Sequence, residues 1–258
     1  MQFIDTHCHL YLENFDADRD AMVQRAVERG ITTMLLPNID MQSMKPLSEL
    51  CHKYPNNCFP MLGLHPTSVG ADFEIQLQAI EAALKNQKVV AIGEIGIDLY
   101  WDKTFLEHQI KALRLQMEWA KDLGLPIVIH TREAFPMIFD LVEEAQDGRL
   151  KGVFHCFSGS SEDARRIMDL GFYMGIGGVL TYKKSTLPEA IKAVPLTSLL
   201  LETDAPFLPP VPYRGKRNES AYIFEIASKL AEVKLQSIIT IAEITTKNAI
   251  SLFNLSVQ

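Results

Sequence analysis

The chain has 258 residues, a length that suits one barrel domain or two small ones. Its apolar fraction of 47% can build a large core, and no apolar run reaches the ~20 residues of a membrane span. A net charge of −7 argues against a broad nucleic-acid-binding face, though not against a local basic rim.

Strand-like apolar runs alternate with helix-like periodic segments throughout. Phe3-Ile4 leads into Asp5-Thr6-His7-Cys8-His9, read as the end of a short strand. There His7 and His9 project to one side with Asp5 below them. A helix is predicted over 16–29, stopped by Gly30. A strand at 31–36, a helix over 41–54 and a strand at 58–64 follow, the last ending in Gly63-Leu64-His65-Pro66. Apolar spacing predicts a helix over 73–86 and a strand at 89–95 ending in Gly93-Glu94-Ile95-Gly96. A long amphipathic helix over 104–123 stops at Gly124. The pattern continues with a strand at 126–130, a helix over 133–145, a strand at 152–157 and a helix over 162–170. A strand at 172–176 and a short helix over 188–193 lead to the strand at 199–201, which runs into Glu202-Thr203-Asp204. Residues 220–255 read as two helices. Eight strands, each followed by a helix, predict an α/β fold: a (β/α)8 TIM barrel, one domain over 1–258. A doubly wound open sheet is the alternative. Cys8, Cys51, Cys58 and Cys156 form no CxxC pair, and the opening strand carries polar groups. Reduced thiols, no secretory signal and a cytoplasmic location are expected.

His7 and His9 end the first strand, His65 the third, Glu94 the fourth, His130 the fifth and His155 the sixth, and Asp204 follows the eighth. All sit at carboxyl ends, the barrel face where loops gather a site. His52 and His108 fall within helical segments and read as solvated surface residues. Four imidazoles and two carboxylates exceed one tetrahedral zinc. They suit two divalent ions sharing a bridging carboxylate; Zn, Mn, Ni, Co and Mg are the candidates, with histidine-rich ligation favouring the first four.

Asp5-Thr6-His7-Cys8-His9-Leu10, Gly63-Leu64-His65-Pro66, Gly93-Glu94-Ile95-Gly96-Ile97-Asp98, His130-Thr131-Arg132, His155-Cys156-Phe157-Ser158-Gly159 and Glu202-Thr203-Asp204-Ala205-Pro206 together resemble the TatD-like DNase family. The resemblance runs to the loop Arg217-Asn218-Glu219. It implies a TIM barrel of the amidohydrolase type, a divalent-metal site and hydrolysis of DNA phosphodiesters. It assigns His7, His9 and Asp204 to one metal, His130 and His155 to the other, and Glu94 to the bridge. It puts His65 and Arg132 near the substrate phosphate. Ser220 stands where the family often has proline after Arg-Asn-Glu, which makes that loop less rigid.

Asp204 is the candidate general base, or a ligand only; Glu94 and His65 complete the catalytic set. Glu202 orients a ligand imidazole or pairs with a cation. Arg132 contacts phosphate or forms a structural salt bridge. Lys183, Lys184, Arg214, Lys216 and Arg217, on the last two loops, form a basic rim, with Arg214, Arg217 and Asn218 as substrate contacts. Tyr182, Tyr213, Phe207, Tyr100 and Trp101 interleave with them, as stacking surfaces for a single strand or as packing. The expected substrate is DNA, single-stranded or attacked at strand ends. Hydrolysis of a small amide, lactone or ester is the alternative, and a metal-bound scaffold without turnover the third reading. No membrane partner is expected, and the oligomeric state stays open, a monomer being one reading.

Overall fold

The structure, a computed structural model, describes residues 1–256. Eight parallel strands alternate with helices: β1 (Phe3–Asp5), α1 (Arg19–Glu28), β2 (Ile31–Pro37), α2 (Met44–Lys53), β3 (Cys58–Met61), α3 (Phe73–Leu84), β4 (Ile92–Asp98) and α4 (Leu106–Leu123). Then come β5 (Ile127–Arg132), α5 (Phe135–Ala145), β6 (Gly152–Phe154), α6 (Ser161–Asp169), β7 (Tyr173–Ile176), α7 (Leu187–Ile191), β8 (Leu199–Leu201), α8 (Ile223–Lys234) and α9 (Ile238–Phe253). The ladders run β1-β2-β3 and β4 to β8 in order. Backbone hydrogen bonds join both seams. Thr6 N donates to Leu201 O, Asp204 N to His7 O and His9 N to Ala205 O on one side; Val90 N donates to Pro60 O and Gly93 N to Leu62 O on the other. The ring is a (β/α)8 barrel, as the alternation predicts.

The period of two divides each strand's side chains between two cores. Ile4, Leu35, Met61, Val128, Val153 and Leu200 face inward and pack together. Phe3, Met34, Leu36, Ile127, Ile129, Phe154, Leu199 and Leu201 face the helices. Helix α9 adds Ala249, Leu252 and Phe253 to the inner cluster. Its Asn248 donates to Leu196 O and Leu199 O, and its Thr246 to Gln2 O, all at the amino ends of β1 and β8. The lower barrel is therefore packed mainly with apolar groups, and the histidines and carboxylates gather at the upper rim. His130, His155 and Glu202 each lie two residues beyond an inward apolar residue, so they inherit its direction.

Strand β4 departs from the sequence reading. It begins three residues later and runs on to Asp98, so Glu94 lies inside the strand instead of ending it. The pairing with β5 shifts register between Ile92 and Ile95. Ile92, Ile95 and Ile97 thus join the outer core, and Glu94, Gly96 and Asp98 face the interior. Gly96 reads as a strand terminator but meets a different demand: at φ 153°, a β-carbon there would lie 1.9 Å from His130 O. Helix α1 also starts later than expected. Its first residue, Arg19, donates from its guanidinium to the carbonyls of Leu10, Tyr11 and Leu12 and ties down the loop behind His9. His52 is exposed. His108, read as solvated, is half-buried and stacks on both Phe73 and Phe105.

Candidate active site

His7, His9, Glu94, His130, His155 and Asp204 converge at the upper rim. His7 Nε2 lies 3.1 Å from Glu94 Oε2 and 3.9 Å from Asp204 Oδ1. His9 Nε2 lies 3.6 Å from each of the same two oxygens. The other oxygen of Glu94, Oε1, is 2.9 Å from His130 Nδ1, 3.2 Å from His65 Nε2 and 3.6 Å from His155 Nε2. Glu94 thus separates two groups of donors, one per oxygen. The His7 and His155 rings stack with centroids 3.5 Å apart.

The outer nitrogens of His9, His130 and His155 face neighbouring groups, whereas among the described residues His7 Nδ1 is buried without a hydrogen-bond partner. Tyr11 OH donates to Pro37 O, so it accepts from His9 Nδ1, and His9 Nε2 turns a lone pair inward. His130 Nε2 lies 2.9 Å from Asp98 Oδ2, and His155 Nδ1 lies 2.9 Å from Glu202 Oε1. Carboxylates behind ring nitrogens of this kind fix tautomer and orientation. Glu202 also accepts from Cys156 N and fills the space above Gly175, where a β-carbon would meet its Oε2 at 2.1 Å. His65 is different. Its Nδ1 accepts from Thr67 N, so the proton of the neutral ring sits on Nε2 and points into the cluster. His65 enters as a hydrogen-bond donor, whereas the other four each turn a ring nitrogen towards Glu94 or Asp204.

Burial alone would raise the Glu94 carboxyl, but His65, His155 and His7 hold it well below the usual carboxylate range. Asp204 is likewise held low, against burial, by His9, His155 and His7. Burial pushes His7 and His65 down. It also works against charge on His155, but Glu202 and Glu94 outweigh it and push that ring up to about 10.

The donor set fits divalent ions. Two nitrogens on a tetrahedral ion at about 2.0–2.1 Å stand roughly 3.4 Å apart, and His7 Nε2 and His9 Nε2 are 3.2 Å apart. Both ring nitrogens of His130 face carboxylate oxygens. That arrangement needs a second proton or a cation in its place.

A cavity of about 600 Å³ opens onto this cluster, lined among others by His65, Trp101, Arg132, Cys156, Phe207 and Leu208. Arg132 is exposed and sits 3.9 Å above the Tyr100 ring instead of in a salt bridge. Lys183, Lys184, Arg214 and Lys216 are exposed, Arg214 lying over Tyr182. Two expected substrate contacts are placed elsewhere. Arg217 is held by Asp18 at 2.6 and 2.9 Å, by Asn14 O, and against the Phe15 ring. Its charge is spent joining the last loop to the segment before α1. Asn218 is fully buried and donates to Thr203 O and Phe207 O. It clamps the backbone around Asp204 and does not line the cavity at the cluster. Tyr213 stacks on Tyr222 at 3.7 Å and is likewise packing.

The sequence reading passed over Asp98 and Tyr11 as anchors. Asp98 was legible: had the inward alternation Glu94, Gly96, Asp98 been carried past the glycine, it would have been found. Tyr11 carried no signal, because its link to His9 depends on where Pro37 O lies.

A family model described as TatD related DNase matches residues 4–254. Over 253 residues, 98% of this chain and 99% of the relative, the chain is 37% identical to the uncharacterized metal-dependent hydrolase YabD of Bacillus subtilis. It is 34% identical to the uncharacterized metal-dependent hydrolase YjjV of Escherichia coli K12 over 256 residues, 98% of each chain. The crystal structure of that TatD homolog matches with a TM-score of 0.92, covering 98% of both chains at 33% identity. A TatD family hydrolase from Entamoeba histolytica matches at 0.84, with 25% identity over 98% of each.

Proposed function

The chain belongs to the TatD related DNase family and is a metal-dependent hydrolase, and we propose that it cleaves phosphodiester bonds of DNA, working from strand ends. The observation that supports this most is the division of labour at Glu94, whose two oxygens face two separate groups of imidazoles. In this reading His7, His9 and Asp204 would hold one divalent ion and His130 and His155 the other, with Glu94 shared by the two groups. Bound ions would supply acidification of a water and polarisation of the phosphoryl group. Zn, Mn, Ni, Co and Mg all remain candidates.

The chain's own groups do the rest. Asp204, half-buried yet held ionised, takes the proton from the attacking water. His65 donates its Nε2–H to a phosphoryl oxygen, which its Thr67-fixed tautomer allows. Arg132, two residues beyond His130 on β5, offers paired N–H groups to the phosphate backbone of the strand beside the cluster. Asp98 and Glu202 keep His130 and His155 aimed at the centre. Exposed Lys183, Lys184, Arg214 and Lys216 draw in the polyanion despite the net charge of −7. One barrel domain over 1–258 carries all of this. No helix among the described residues is long and apolar enough to cross a membrane. Its four free cysteines suit a reducing cytoplasm.

The test is end-labelled single-stranded DNA incubated with the metal-loaded protein, beside a set of small lactones, esters and amides. Stepwise shortening of the DNA is the expected result. Turnover of a small neutral ester with the DNA left intact would replace this reading with the small-molecule one.

A further inference from the structure

Asp98 has two oxygens and two tasks. Oδ2 faces His130 Nε2 at 2.9 Å. Oδ1 accepts the backbone N–H groups of Tyr100 at 2.9 Å and Trp101 at 3.1 Å. One buried carboxylate therefore fixes both an imidazole of the cluster and the turn beside it. Across from that turn, Arg132 pairs in register with Asp98 on the neighbouring strand. Its guanidinium carbon lies 3.9 Å from the Tyr100 ring centroid and 5.6 Å from that of Trp101. A cation stacked on an aromatic face keeps its N–H edges available, and among the described residues no carboxylate lies within 4.0 Å of it.

Trp101 is the anomaly. The residue is 69% exposed, at the mouth of the cavity that holds Glu94 and Asp204. Phe207, 47% exposed, lines the same cavity from the loop after β8. The backbone of this turn is pinned by Asp98, so the indole is carried at a fixed place without being buried. That arrangement is unfavourable alone and useful to a flat ligand. A planar apolar face beside an unpaired guanidinium matches a base beside its phosphate.

We propose that the Tyr100-Trp101 turn and Arg132 form a nucleotide subsite for the end of a single DNA strand. Arg132 holds the phosphate next to the one being cleaved, and the exposed face of Trp101 stacks the base attached to it. Asp98 sets the spacing between this subsite and the reacting centre. The subsite rests on the DNase reading and narrows it, because it gives a strand end something to be recognised by.

The test uses metal-loaded protein and two oligonucleotides, one complete and one abasic at both terminal nucleotides. Each is also made as a non-hydrolysable phosphorothioate. Trp101→Ala should raise KM for the complete oligonucleotide about 10-fold or more and leave that for the abasic one nearly unchanged, whereas Trp101→Phe keeps most of the affinity. In binding, the complete phosphorothioate should quench the emission that Trp101→Phe removes, the remaining Trp119 signal serving as reference. Equal effects of Trp101→Ala on both oligonucleotides would overturn the subsite, as would quenching that does not need the terminal base. Absence of DNA cleavage by the wild-type protein counts against the DNase reading instead, and the quenching measurement still decides the subsite.

Discussion

Asp5 and Thr203 clasp the first strand to the end of the last. Oδ1 of Asp5 accepts the Thr203 backbone N–H at 2.9 Å, and Oδ2 accepts its hydroxyl at 2.6 Å. Both residues are buried. Asp5 thus sits at the seam, where it sets the distance between the His7–His9 pair and Asp204. Asp5→Ala would leave the Thr203 donors without a partner in a dry place. It should cost about 1–3 kcal/mol of stability, read as a lower denaturation midpoint. Turnover in the remaining folded protein should fall as well. Wild-type turnover per folded molecule would show that the clasp does not position Asp204.

Asp204 itself is tested by Asp204→Asn. A base role predicts that much of the metal stays bound while turnover drops by about 10²–10⁴. Metal content by elemental analysis separates the cases. Loss of both ions in this variant would assign Asp204 as a ligand alone.

Glu202 is tested through its neighbour. Gly175→Ala places a β-carbon 2.1 Å from Glu202 Oε2, so the carboxylate must leave its post behind His155. Both Gly175→Ala and Glu202→Gln should weaken binding of an ion about 10–100-fold, measured by titration. Binding unaffected in both would show that Glu202 does not support the ligand ring.

The basic rim divides into free and committed cations. Neutralising Lys183, Lys184, Arg214 and Lys216 together should raise KM for single-stranded DNA. If all four meet phosphates, the salt slope should flatten by about 3, roughly 0.7 per contact. Arg217→Ala should lower thermal stability and leave the salt slope unchanged, because its guanidinium belongs to Asp18. A changed slope in Arg217→Ala would return that residue to the substrate.

Asp18 gives a pH signature away from the cluster. Hydrogen bonds from Arg217, and next from Arg25, hold its carboxyl well below the usual carboxylate range. A depressed carboxylate stabilises the fold above its unfolded value of about 3.9, and that contribution fades as pH falls towards the lower folded value. Asp18→Asn should therefore lower Tm by roughly 2–4 °C near neutral pH, about what 1 kcal/mol is worth in a chain of this size. The gap to wild type should stay constant from pH 8 to about 5 and narrow only in stronger acid. A gap that widens in acid would contradict the ion-pair origin.

The amino-acid sequence by itself determined the alternation of strands and helices, because their periods are local properties of a run of residues; that the sheet closes into a barrel instead of staying open is decided by the backbone hydrogen bonds at its two seams. It also determined which histidines and carboxylates gather at one rim, since in a parallel barrel every strand's carboxyl end shares one face. Tertiary structure decided the rest. Ile92 and Glu94 lie two residues apart yet face opposite sides because β4 shifts register against β5 between Ile92 and Ile95, and alternation within β4 alone cannot show a shift relative to another strand. Arg217 and Asn218 look like substrate contacts in sequence. Their partners, Asp18 and the carbonyls around Asp204, are chosen by the folded loop. Asp5 finds Thr203 some 198 positions away. Such pairings come from closure of the ring, which brings the ends of the chain together and strips water from the groups that meet there. Each of those groups must then find its partner inside the protein.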